Sequence, residues 1–173
     1  MASIDKIIPF ILKWEGGFVN DPDDLGGATN KGITLGTFRY CRLQKKLSEP
    51  TINELKNISE EEWKDVLRML FWDKWQADRI INQSIANILV DWVWASGSYG
   101  IKLPQKLLGV TVDGIVGNRT LFAVNTYHPQ KELFEKIKQV RFDYIDRICR
   151  SRPTNKKFKK GWENRINDIK FEE

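Results

Sequence analysis

A chain of 173 residues with 41% apolar and 29% charged side chains can bury one sizeable core or two small lobes. That balance is ordinary for a globular protein. The net charge of +5 suits an anionic partner such as nucleic acid, a membrane surface or cell wall, and it equally suits plain solubility.

The N-terminus, Met1 to Pro9, lacks the basic segment, apolar run and small-residue cleavage site of a usual signal peptide. No apolar stretch is long enough to span a bilayer, so stable membrane insertion is not expected. The expectation is synthesis in the cytoplasm; a substrate outside it requires another route of release or export. One histidine, His128, and two distant cysteines, Cys41 and Cys149, match no metal-ligand or redox spacing. Two reduced thiols are expected, with a disulfide linking the halves left open.

Ile4, Ile7, Ile8, Ile11 and Leu12 recur at helical spacing, with Ser3 as N-cap and Gly16-Gly17 as the stop. Pro9 within that pattern predicts a kink or an early 3₁₀ turn. Residues 20–34 are turn chemistry throughout and predict a loop with a short β-hairpin. A second helix is expected over 35–46. Two capping-box sequences follow, Thr51 to Glu54 and Ser59 to Glu62, the second opening a helix through Trp63, Val66, Leu67, Leu70 and Phe71.

Ile85, Ile88, Leu89, Trp92 and Val93 mark a helix that is apolar on more than one face and therefore central. A short helix over 102–108 leads to the turn 110–117, with Asp113-Gly114 at its tip. Leu133 to Ile148 forms a long helix expected to pack beside the central one. Trp162, Ile166 and Ile169 form a last helix. The whole predicts a mainly α protein with a division between about Gln76 and Ser84, giving regions 1–80 and 81–173.

Seven Trp are many for this length. Trp serves both as core and as a platform for sugar rings. Trp72, Trp75, Trp92 and Trp94 can line a groove, although most are expected in the core. Asp91 on the central helix needs an Arg or a backbone N–H as partner. The late basic run, Arg150 to Lys160, is a solvated loop or a patch facing an anionic polymer. The basic residues form no single helical stripe, which argues against a nucleic-acid-binding helix.

Glu15 concentrates the chemistry. At about 100° per residue it falls roughly 20° from Ile4 and Ile8 and roughly 40° from Ile11. A carboxyl there is partly buried and lies at a helix C-terminus, and both features disfavour its charged form. A protonated carboxyl is what glycoside hydrolysis needs as general acid. The alternative is a helix-end Glu that reaches solvent or pairs with Lys13 or Lys31. Asp21, Asp23 and Asp24 follow within a few residues. They serve either as turn-formers or as a second carboxylate, and Thr29 has a hydroxyl able to hold water. Asp-Pro-Asp-Asp lacks the alternating ligands of a calcium loop, so no metal is expected.

The stretch Lys13-Trp14-Glu15-Gly16-Gly17-Phe18-Val19-Asn20-Asp21 through Gly26-Gly27-Ala28-Thr29-Asn30-Lys31-Gly32-Ile33-Thr34 closely resembles the signature of glycoside hydrolase family 108. The resemblance implies a lysozyme-like N-acetylmuramidase of the kind found in phage lysis cassettes, prophages and secretion loci. It places the catalytic acid on Glu15 and implies peptidoglycan as substrate with no cofactor. Asp24 and Thr29 are then candidates for charge stabilisation or water positioning, and Asp21, Gly26, Gly27 and Trp94 for substrate contact. Asp91–Gly97, Gln105–Gly109, Asp113–Gly117, Thr120, Arg141 and Lys160–Arg165 are similar to the landmarks of the predicted peptidoglycan-binding region that usually follows in this family. One departure stands out: Trp94-Ala95-Ser96-Gly97 replaces the usual Val-Asn-x-Gly, removing an amide. The expected activity is cleavage of the β-1,4 bond between N-acetylmuramic acid and N-acetylglucosamine, by an endolysin or a secretion-linked enzyme, with a holin or export system as helper. Two rivals share the fold: a non-catalytic wall-binding or secretion-accessory protein, and a lytic transglycosylase.

Overall fold

The computed structural model describes all of residues 1–173 and divides into two units: Ile8–Phe71, and Met1–Ile7 together with Trp72–Glu173. The architecture is mainly helical, with one two-stranded antiparallel hairpin.

The first predicted helix is two pieces. A 3₁₀ turn spans Ile4–Lys6, and α1 begins only at Ile8 (Ile8–Trp14). Pro9 then sits in the first turn of α1, where its missing N–H costs no helical bond. Ser3 makes no side-chain cap. Instead its backbone exchanges hydrogen bonds with the Gln83 side chain, at 2.8 and 3.0 Å.

In the first unit, β1 (Thr29–Asn30) pairs with β2 (Ile33–Thr34) in the register Thr29↔Thr34 and Asn30↔Ile33. Lys31 and Gly32 both take positive φ, 49° and 79°, as a two-residue hairpin of matching twist requires. Thr34 caps α2 (Leu35–Gln44) by accepting from the Thr37 N–H. Both halves of the Thr51–Glu54 capping box form at the start of α3 (Ile52–Lys56). Ser59 caps α4 (Glu60–Leu67), which continues as a π turn over Arg68–Trp72.

The second unit is built around α5 (Gln83–Ser96), nearly continuously buried from Ser84 to Val93. It ends at Gly97, φ 59°. The next helix, α6 (Tyr99–Leu108), starts three residues earlier than its sequence pattern suggests and tolerates Pro104 inside it. Its backbone lies directly on α5. A Cβ on Gly100 would stand 2.5 Å from the Val93 nitrogen and 2.6 Å from the Trp92 carbonyl carbon. Then come α7 (Asn118–Thr126), the long α8 (Gln130–Ser151) and α9 (Lys156–Asp168). Helix α8 packs against α5, as its apolar stripe predicts. Trp72, Trp75 and Trp92 are core residues of this unit, and Trp63 is buried in the first. Cys41 and Cys149 are buried free thiols, and burial pushes the Cys41 thiol up.

Candidate active site

Glu15 follows the last residue of α1 and is half-buried. Its backbone N–H still donates to the Ile11 carbonyl at 3.1 Å, so the residue is held by the end of the helix. Gly16 and Gly17 come next. Neither has positive φ, contrary to the usual reason for glycine at a helix end. Beyond their chain neighbours, no heavy atom lies within 4 Å of where their Cβ atoms would be, so the backbone just after Glu15 is uncrowded.

The chain then leaves and returns. Val19 and Thr29 form an antiparallel bridge, each N–H donating to the other carbonyl at 2.8 Å. Residues 20–28 are the excursion between them, and Asp21 and Asp24 build it. Asp21 Oδ1 accepts from the Asp23 N–H at 2.9 Å, and Asp24 Oδ1 from the Gly26 N–H at 2.8 Å. Turn-making is therefore what one oxygen of each carboxylate does. The Asp21, Asp23 and Asp24 residues remain exposed. A Cβ on Gly26 would come to 3.2 Å from Asp24 Oδ1, so a side chain there would press on the oxygen that accepts from the Gly26 N–H. Gly27 has a conformational reason to be glycine, φ 72°. Thr29 is half-buried on β1, and its hydroxyl makes no hydrogen bond within the protein.

Two polar groups to which the sequence assigned no role anchor this loop from behind. Asn30 is buried, and its amide donates to the Leu55 and Lys56 carbonyls at 3.0 and 3.1 Å, capping the end of α3. The Trp63 indole N–H donates to the Lys31 carbonyl at the hairpin tip, 3.0 Å. An Asn beside the Lys31-Gly32 turn was the one available signal. Its partners lie about 25 residues away and carry no pattern. No group of three His, Cys, Asp or Glu side chains is arranged to hold a metal ion.

Trp94 lies half-buried on α5, in the other unit. The same helix carries Asp91, fully buried. Arg141 of α8 donates to its Oδ2 at 3.0 Å, and Arg165 of α9 to its Oδ1 at 2.7 and 3.1 Å. Asp91 thus has the arginine partner its burial demands, and it ties three helices together. Gln105 plays a similar part. It is fully buried, its Nε2 donates to Asp113 and the Ile115 carbonyl at 3.0 Å, and its Oε1 accepts from the Gly114 N–H at 2.9 Å. The sequence landmarks around Asp91, Gln105, Asp113 and Arg141 are accordingly load paths of the second unit's packing.

A mainly helical chain that puts a half-buried carboxyl at a helix end, ahead of an acidic glycine-rich hairpin loop, belongs to the lysozyme-like class. The family model described as glycosyl hydrolase 108 matches residues 8–97, just over half of the chain, which therefore belongs to that family. A model described as a predicted peptidoglycan domain matches residues 99–167. The pair makes the chain a glycoside hydrolase acting on peptidoglycan. Among solved structures, SagA of Brucella abortus is similar, with 28% identity and a TM-score of 0.77 over 96% of this chain and 90% of that one. No curated protein matches.

Proposed function

We propose that the chain is an N-acetylmuramidase in which Glu15 protonates the glycosidic oxygen between N-acetylmuramic acid and N-acetylglucosamine. The observation that carries this reading is the position of Glu15: half-buried, tethered to the end of α1, with open space at Gly16 and Gly17. A carboxyl in that setting combines partial burial with an uncrowded backbone at the two glycines that follow it. Asp24 keeps one carboxylate oxygen outside its turn bond and supplies negative charge for an oxocarbenium-like transition state. Thr29, with its hydroxyl uncommitted, positions the attacking water. Asp21, Gly26, Gly27 and Trp94 contact the substrate. The reaction needs no cofactor. The enzyme acts at the wall after release or export, as an endolysin or a secretion-linked hydrolase.

Digestion of purified peptidoglycan by the unaltered chain and by Glu15→Gln tests the reading. The unaltered chain should release reducing ends, and the variant at least about a hundredfold fewer. Equal release from both would reject Glu15 as the acid. No release from either would leave a wall-binding protein on the same fold. Mass spectrometry of the products separates the chemistry, because anhydro ends would convert the assignment to a lytic transglycosylase.

A further inference from the structure

The second unit carries an open groove of about 490 Å³ between α6 and α8, and none of the residues discussed above for catalysis lines it. Its apolar wall is Leu103 and Leu107 of α6 and Val140 of α8, all half-buried. Tyr144 completes that wall. Its ring is held by Tyr99 at 5.3 Å between centroids, and the Arg147 guanidinium lies over it at 5.5 Å. Three exposed cations line the groove, Lys106, Arg147 and Arg150, against one carboxylate, Asp143, which accepts from Gln139 at 3.0 Å. None of the three cations makes a salt bridge, although Arg150 lies close enough to Asp146 to help Lys159 hold its carboxyl below the ordinary pKa. The neighbouring Asp146 is paired with Lys159 at 2.8 Å. An apolar wall under a surplus of positive charge selects a ligand with short aliphatic groups and free carboxylates.

We propose that this groove binds the stem peptide of peptidoglycan. The proposal rests on the peptidoglycan reading above and deepens it by placing wall recognition on one face. Every lining residue falls within the segment matched by the peptidoglycan domain model. The peptide that branches from each muramic acid carries small aliphatic side chains and several carboxylates. The N-acetylated glycan carries no charge of its own once its lactyl groups are amide-linked. Charge complementarity therefore favours the peptide over the bare sugar strand. It also gives the basic end of α8 a role beyond solubility.

The test is co-sedimentation of the full chain with purified insoluble peptidoglycan freed of other wall polymers. Glu15→Gln is present throughout, so that binding is read without digestion. Replacing Lys106, Arg147 and Arg150 together by Gln should weaken binding roughly tenfold or more, since all three exposed groove charges are lost at once. Peptidoglycan stripped of stem peptides by an amidase should show a similar loss with the cationic groove intact, although stripping exposes lactyl carboxylates. Unchanged binding by the triple variant would overturn the groove. Equal binding to stripped and intact material would overturn the peptide. Tight binding only to walls that retain phosphate polymers would assign the groove to those polymers and overturn the proposal too. Failure of digestion by the chain with Glu15 restored would reject the muramidase reading and leave these binding results standing.

Discussion

Replacing Asp91 by Asn should break a fully buried tie among α5, α8 and α9. The Asp91 side chain has no solvent exposure, and Arg141 only 4%. Burial pushes the Arg141 guanidinium below its ordinary pKa, and the charge and hydrogen bond of Asp91 oppose that push. With Asn, an NH₂ donor replaces one accepting oxygen and faces a guanidinium donor. Arg141 is left buried without its counter-charge. Removing one partner of a buried pair typically costs about 3–5 kcal/mol. In a chain of this length each kcal/mol lowers the melting midpoint by about 2–4 °C, so a fall of roughly 6–20 °C is expected. Thermal and urea unfolding followed by circular dichroism will read it. Pairing the change with Arg141→Met should restore part of the loss, because the second substitution removes the stranded charge. The double variant should then differ from the sum of the singles by about 1–3 kcal/mol. A loss under about 1 kcal/mol for Asp91→Asn, or strict additivity of the two, would refute the account of Asp91 as a neutralising hub.

Two glycines should respond in opposite directions. Gly100→Ala forces a methyl into the α5 backbone and should cost about 2–3 kcal/mol, whereas Gly161→Ala, in α9 with no atom within 4 Å of its Cβ, should add about 0.5–1 kcal/mol; shifts in urea midpoint check both. The Asp113 carboxyl is held below its ordinary pKa by the Ile115 N–H and then by the Gln105 amide. Its contribution is therefore present above the unfolded value near pH ~4 and is lost as pH falls through the lower folded value, so Asp113→Asn should flatten the melting curve against pH in the acid range. Parallel curves for the two proteins would contradict this. Asp24→Asn keeps the acceptor for the Gly26 N–H while Asp24→Ala loses it. If the carboxylate charge acts in catalysis, both should lower kcat by about tenfold or more, and an unimpaired Asn variant would confine Asp24 to holding the turn.

Local chemistry made much of this protein legible from its residues. The Thr51–Glu54 box and the Thr34 and Ser59 caps report themselves, because the groups that satisfy a helix end lie within three residues of it. The burial of α5 follows from its apolar faces, and the need of Asp91 for an arginine follows from the cost of a buried charge. The position of Glu15 at a helix end before a glycine pair also follows from spacing alone. What the pattern misplaced depended on competition it could not represent. Pro9 separates Ile4 from α1 because the gap in its hydrogen bonding is harmless only in a first turn. The start of α6 at Tyr99 depends on Gly100 meeting the α5 backbone.

Tertiary structure alone decided which polar groups hold the loop and the helices. Asn30 reaches α3, the Trp63 indole reaches the hairpin tip, and Arg141 and Arg165 converge on Asp91 from 50 and 74 residues away. Sequence periodicity encodes which face of an element is apolar. It does not encode which distant donor meets a given acceptor, because that meeting is set by how packed helices cross.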